Sequence, residues 1–194
     1  GVQTCALPIS YQPRRVLDLG TGTGVLGIAA AKALHGKVLA SDIDPPSVKV
    51  AEENAWLNGA GHLVDVIRAT GFAAPRFAAD GPFDLVLANI LANPLRQLAG
   101  PMAQHLASTA QVILSGLLTH QAPAVIAAYR ARGGADADLP GGQVPWLTVH
   151  GRRGGSALAA HLHLCRTVAR RAEHRLVAQG GRLYRRELAL AIQR

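Results

Sequence analysis

Val16-Leu-Asp-Leu-Gly-Thr-Gly-Thr-Gly24 is the stretch whose reading decides the fold. A short apolar run passes through three glycines into Val25–Leu34, an Ala-rich segment closed by Gly36. Glycine lets the backbone turn tightly and approach a ligand closely, and the helix that follows starts with N–H groups free. The loop alone is ambiguous, because Gly22-Thr-Gly24-Val-Leu-Gly27 also satisfies the G-x-G-x-x-G dinucleotide fingerprint.

Working outward, apolar runs alternate with helical patterns. Strands are expected at Arg15–Leu19, Lys37–Ser41, Leu63–Arg68, Phe83–Asn89 and Gln111–Ser115. Between them, Asp44 caps a helix with Pro45 or Pro46 in its first turn, running to about Asn58 and stopped by Gly59. Further helices are expected at Pro94–Leu106 and Gln121–Arg132, with Asn93 as the cap of the first. Continuous apolar strands alternating with helices imply a parallel sheet covered on both faces. The fold class is therefore α/β, a doubly wound, mostly parallel, Rossmann-like sheet with an irregular or helical C-terminal tail. The ligand belongs at the carboxyl ends of the strands. After Gly133 the pattern fades: Ala135–Pro145 is turn-rich, and Trp146–Val149 is at most one last strand.

Length and composition agree with this frame. The chain has 194 residues, 49% of them hydrophobic, which is one domain with a sizeable core and excludes a disordered chain. No apolar run reaches the 18 or so residues of a membrane helix, so a cytoplasmic protein is expected. Cys5 and Cys165 are too few for a disulfide framework or a Cys-built zinc site. The formal charge of +8 reads at first as a nucleic-acid binder. It divides unevenly: residues 1–151 hold ten Lys/Arg against ten Asp/Glu, whereas residues 152–194 hold ten Arg against Glu173 and Glu187. A neutral body carries a basic tail.

Two carboxylates narrow the cofactor. Asp18 lies two residues before the first glycine, where a pyrophosphate would meet a second anion. A cofactor with an ammonium group and no phosphate accepts a carboxylate there, and S-adenosylmethionine is such a molecule. Asp42 ends the second strand, 22 residues after Gly20, where a carboxylate can accept hydrogen bonds from both ribose hydroxyls. The candidate cofactor site is thus Asp18, the loop residues Gly20, Thr21, Gly22 and Gly24, Asp42, Ile43 against the adenine face, and Asn89. Asn89 closes the fourth strand, and a polar amide at that end is a candidate for chemistry. No metal site is expected: His161 and His163 are two apart, which puts them on different faces of a helix. A nicotinamide-dependent oxidoreductase shares the glycine loop, but Asp18 and the N-I-L-A run argue against it.

From Val16 to about Arg132 the chain resembles class I S-adenosylmethionine-dependent methyltransferases. Within them it is similar to the bacterial family that acts on large-subunit ribosomal protein eleven. The resemblance rests on L-D-L-G-T-G-T-G, on S-D-I-D-P at Ser41–Pro45 and on A-E-E-N-A-W-L-N-G at Ala51–Gly59. It rests further on D-L-V-L-A-N-I-L-A-N-P-L at Asp84–Leu95 and I-L-S-G-L-L at Ile113–Leu118. The glycine loop marks only the superfamily; N-I-L-A followed by L-S-G-L-L is far more specific. The resemblance implies methyl transfer to amino groups of that ribosomal protein, a lysine side chain or the N-terminal amine. Asn89, through its side-chain oxygen, and Ile90, through its carbonyl, would aim the amine. An inert cofactor-binding fragment is the alternative, and RNA or a small molecule stays open as substrate. The family's upstream recognition domain and its G-T-G-x-H-x-T-T-like linker have no counterpart here. Thr70 stands where many relatives carry an acidic residue near the adenine amine, and the C-terminal strands look degraded at Ala135–Pro145.

The ends of the chain read differently. Gly1–Ile9 resembles a translated sequencing-library adapter, so residues 1–12 are expected to be non-native or disordered, with an upstream part missing. Residues 13–150 form the expected catalytic domain, and 151–194 a basic helical tail. In that tail Leu158, Leu162, Cys165, Ala169, Ala172 and Leu176 recur at three and four from Ser156 to about Gln179. Gly154–Ala178 resembles the C-terminal helix region of cobalamin adenosyltransferases, through R-x-x-x-R-R-A-E at Arg166–Glu173. The rest of that helical bundle is lacking, so that activity is not expected. A solvated helix is the first reading of the tail, ahead of an RNA contact, which the near-absence of aromatics disfavours, and a remnant nucleotide site. A monomer without membrane contact is expected.

Overall fold

The computed structural model describes residues 13–118, 120–132, 134–138 and 146–153, the last two spans as backbone strands. In chain order the elements are β1 (Val16–Leu19), α1 (Val25–Leu34), β2 (Val38–Asp42), α2 (Pro45–Leu57), β3 (Val64–Arg68) and α3 (Pro75–Asp80). They continue with β4 (Phe83–Asn89), α4 (Ala92–Gln104), β5 (Leu106–Leu118), α5 (Ala122–Arg130), β6 (Gly134–Asp138) and β7 (Trp146–Arg153). All seven strands form one sheet in the order β3-β2-β1-β4-β5-β7-β6, with β1 to β5 parallel, β7 antiparallel to β5, and β6 antiparallel to β7. This is the doubly wound α/β fold that the alternating pattern implies.

Side chains alternate across each strand, and both faces are covered. Val16, Val38, Ala40, Val64, Val66, Leu85, Leu87 and Ile113 point one way, against Ile28, Ala30 and Ala31 of α1 and Ala51 and Ala55 of α2. Leu17, Leu19, Leu39, Val86, Ala88, Val112 and Leu114 point the other way. They meet Phe77 of α3, Leu95 and Met102 of α4, and Val125 and Ile126 of α5. The small residues on α1 and α2 let helix backbones lie close to the sheet and to each other: a Cβ on Gly24 would sit 3.2 Å from Ala51 Cα.

The strand order places the site. From β1 the chain winds outward to β2 and β3, then returns to put β4 on the other side of β1. The helices that follow β1 and β4 therefore cover opposite faces of the sheet, and the carboxyl ends of these two strands are the general ligand position in such sheets.

The structure differs from the sequence expectations in five places. β5 spans Leu106–Leu118 and not Gln111–Ser115, taking in Leu106, which was expected to end the preceding helix. Gly134–Asp138 is a strand, not the start of a turn-rich, degraded stretch, because it pairs with β7 at the sheet edge, a contact that no local pattern announces. β7 runs to Arg153, past the expected boundary at residue 150. α4 begins at Ala92 with Leu91 as its N-cap, so Asn93 lies inside the helix and does not cap it. Pro94 falls in the first turn, where its missing N–H costs nothing. The six-residue α3 was not foreseen, being too short to show a helical period. Elsewhere Asp44 caps α2 as expected, accepting from Ser47 N at 3.1 Å. The adapter-like Gly1–Ile9 and the tail readings, with Arg166–Glu173, His161 and His163, lie outside the described residues.

Candidate functional site

The loop after β1 is held from three sides. Gly20 and Thr21 both donate their backbone N–H to the Ser41 carbonyl, at 2.8 and 2.9 Å, which hooks the loop onto the end of β2. Asn54 Nδ2, from α2, donates to the Thr23 carbonyl at 2.8 Å. Beneath the loop, Asp18 Oδ2 accepts from Thr21 Oγ1 at 2.6 Å and from Gly27 N at 2.7 Å. Gly20, Gly22 and Gly24 have φ of 69°, 55° and 84°, in the left-handed region that side chains with a Cβ avoid.

Asp18 is 1% exposed, and among the described residues its Oδ1 has no hydrogen-bond partner. Burial pushes its carboxyl up to about 6, against the bonds from Thr21 and Gly27 that favour the anion; the charge of Asp42 raises it further. It lies under the loop, so any effect on a ligand passes through the loop and through its charge. An anion this poorly satisfied favours a cation nearby and disfavours a phosphate.

Asp42 sits at the rim. Its Oδ2 accepts from Gly22 N at 2.8 Å and its Oδ1 from Asp44 N at 3.0 Å. A carboxylate offers about four lone-pair directions, so two remain for donors such as a pair of ribose hydroxyls. Next to it Ile43 is 60% exposed and presents an apolar face to solvent. A Cβ on Gly22 would meet nothing within 4 Å, so the loop's outer side is open to a ligand. Thr70 is exposed at the end of β3.

The far wall is Asn89-Ile90. Asn89 ends β4 with its side chain exposed, opposite Ser115 of β5. Ile90 leans onto the loop: a Cβ on Gly20 would run into Ile90 Cγ2. The contact brings the predicted acceptor segment against the predicted cofactor loop, 70 residues away in sequence. The expected site residues, Asp18, Gly20, Thr21, Gly22, Gly24, Asp42, Ile43, Asn89 and Ile90, thus lie at the carboxyl ends of β1, β2 and β4, with Asp18 beneath the loop. Three contributors were not foreseen: the Ser41 carbonyl, Asn54, and Gly116 under Asn89. Asn54 and Gly116 lie in the A-E-E-N-A-W-L-N-G and I-L-S-G-L-L runs, which was the available signal, but nothing in the sequence shows what they touch. Among the described residues there is no group of three or more His, Cys, Asp or Glu that could hold a metal, and no helix long and apolar enough to cross a membrane.

The site set beside known proteins gives consistent matches. The family described as Ribosomal protein L11 methyltransferase (PrmA) matches residues 8–153. The ribosomal protein L11 methyltransferase of Bradyrhizobium diazoefficiens is 81% identical over 124 residues, covering 64% of this chain and 42% of that protein. The chain spans less than half the length of the curated relatives it matches. The crystal structure of ribosomal protein L11 methylase from Lactobacillus delbrueckii subsp. bulgaricus aligns with a TM-score of 0.65 at 36% identity, over 76% of this chain and 73% of that one. An RNA methyltransferase from Salinibacter ruber, solved with S-adenosyl-L-homocysteine, aligns with a TM-score of 0.56 at 19% identity, over 74% and 82% of the two chains. That last likeness is one of fold.

Proposed function

The chain belongs to the ribosomal protein L11 methyltransferase family, and from that premise we propose that it transfers methyl groups from S-adenosylmethionine to amino groups of L11. The acceptors are a lysine side chain, the N-terminal amine, or both. The observation that supports the reading is the packing of Ile90 on Gly20, the segment read as the acceptor wall against the loop read as holding the cofactor.

The residues fit the cofactor. Asp42 has lone pairs left for two ribose hydroxyls, Ile43 offers an apolar face to the adenine, and the open backbone at Gly22 admits close approach. The buried anion of Asp18 favours a molecule carrying an ammonium and a sulfonium over a dinucleotide. The relatives' names, which are those of methyltransferases, call for a methyl donor. When bound, S-adenosylmethionine supplies a methyl group on a positively charged sulfur that leaves as a neutral thioether, so no enzyme nucleophile is needed.

What remains for the chain is to bind, orient and desolvate the amine. A lysine ammonium, with an ordinary pKa of about 10.4, must shed a proton before its lone pair can attack. Removal from water beside a cation favours the neutral amine. The Asn89 side-chain oxygen and the Ile90 carbonyl then accept its two N–H bonds, which turns the lone pair toward the cofactor and holds the reactants in line.

Calorimetric titration with S-adenosylmethionine, with Asp42→Ala in parallel, and incubation with labelled cofactor and purified L11 test the proposal. Saturable binding that weakens in the variant, with label on L11, supports it. No saturable binding by the unmutated chain overturns the cofactor assignment. Binding without label on L11 overturns the transfer and leaves a cofactor-binding domain.

A further inference from the structure

Gly116 lies in β5 with φ of 79°. β5 stays in register with β4 as far as Ser115 opposite Asn89, whereas its pairing with β7 shifts between Leu114 and Leu117. The irregularity turns the backbone just past Ser115 and carries the bare Cα of Gly116 against the acceptor wall. A Cβ there would lie 2.5 Å from Asn89 Oδ1, 3.7 Å from Asn89 Cγ and 3.7 Å from the Ile90 carbonyl oxygen. Carbon and oxygen do not approach to 2.5 Å, so any side chain at 116 displaces the carboxamide.

Among the described residues no hydrogen bond ties the Asn89 carboxamide. The terminal torsion of Asn is broad and roughly two-fold, so without a bond only steric surroundings select its orientation. Gly116 supplies that surface. We propose that Gly116 is a positioning residue for the acceptor amine: its missing side chain is the groove that holds Asn89 Oδ1 in place beside the Ile90 carbonyl. The proposal rests on the reading of Asn89 as an acceptor of the amine's N–H. It accounts for the glycine of the L-S-G-L-L run by a contact and not by turn geometry alone.

Two substitutions separate clash from backbone strain. Alanine is poorly tolerated at positive φ, whereas asparagine is several-fold enriched there; both carry the Cβ. Gly116→Ala and Gly116→Asn should therefore both shift the side-chain amide resonances of Asn89, assigned by their loss in Asn89→Ala. This readout needs no activity, so it stands or falls separately from the transfer reaction. In both variants transfer to L11 should slow about tenfold or more through kcat, as misplacement of a reacting group predicts. In an Asn89→Ala background, Gly116→Ala should cost little further rate. Unchanged Asn89 resonances in Gly116→Ala, a shift in Gly116→Ala but not in Gly116→Asn, or an equal rate loss in both backgrounds would each overturn the proposal.

Discussion

Gly27 donates its backbone N–H to Asp18 Oδ2 at 2.7 Å, and a Cβ on Gly27 would sit 3.0 Å from that same oxygen. The first turn of α1 is thus pulled onto the buried carboxylate, close enough that a side chain at 27 would press on it. Asp18→Ala removes the acceptor of two donors, Thr21 Oγ1 and Gly27 N. Leaving buried donors unpaired should lower stability by about 2 kcal/mol or more. Asp18→Asn keeps an acceptor and removes the buried charge, so at pH 8 it should escape that loss while binding S-adenosylmethionine more weakly. Urea denaturation and calorimetry on both variants check this; equal stability losses would refute the assigned role of the two bonds.

The raised carboxyl of Asp18 has a signed consequence for pH. Its folded value of about 6 exceeds the ordinary 3.8, so the native state holds the proton longer than the unfolded chain. The penalty of ionising it is absent below about 3.8, grows as pH rises, and is complete above about 6. Over the whole window this amounts to about 3 kcal/mol, of which about 1 kcal/mol lies between pH 5 and 7. The stability of Asp18→Asn relative to the unmutated chain should rise by that amount from pH 5 to 7. A flat difference across those denaturation curves would contradict the burial of a charged Asp18.

Ile90 and Gly20 make a compensating pair. Gly20→Ala combines a φ of 69° with a clash on Ile90 Cγ2 and should cost about 2 kcal/mol or more. Adding Ile90→Ala should restore part of that loss, whereas Ile90→Val, which keeps Cγ2, should restore none. Thermal melts of these three variants, with Ile90→Ala and Ile90→Val alone beside them, give the coupling energy of the pair. Strict additivity would mean the two segments do not bear on each other.

Asp42 is expected to matter more for affinity than for folding. Its partners, Gly22 N and Asp44 N, lie in loops at the rim, where water replaces a lost bond at a cost of about 1 kcal/mol. Its charge should matter to two hydroxyl donors at once. Asp42→Ala should bind S-adenosylhomocysteine about tenfold or more weakly with a small change in melting temperature. A large drop in stability with unchanged affinity would reverse that ordering.

Asn54 holds the loop from α2 through Thr23. Asn54→Ala should leave the sheet intact and loosen the loop, seen as faster hydrogen exchange at Gly22, Thr23 and Gly24 against unchanged exchange in β1 and β2. Uniform acceleration throughout would show that the bond supports the whole fold.

Much of the architecture is legible in the chain because it depends on neighbours in sequence. The apolar strands, the caps at Asp44 and Gly59 and the glycine loop each show within a few residues what they form. Expectation failed where a partner far away decides. Gly134–Asp138 has no strand signature and becomes one by pairing with β7. Asn93 beside Pro94 looks like a cap, yet α4 begins earlier, at Ala92, with Leu95 buried in the core.

The site divides in the same way. Residue types and spacing determined by themselves which groups gather at the strand ends: three glycines, Asp18, Asp42 and Asn89, because the carboxyl ends of parallel strands converge on one edge. Only the tertiary structure decided their parts. It put Asp18 under the loop and Asp42 on the rim, laid Ile90 on Gly20, and slid Gly116 beneath Asn89. Local conformation is written in a residue and its neighbours. Burial, and the exclusion of one side chain by another, arise only when segments far apart in the chain are packed together.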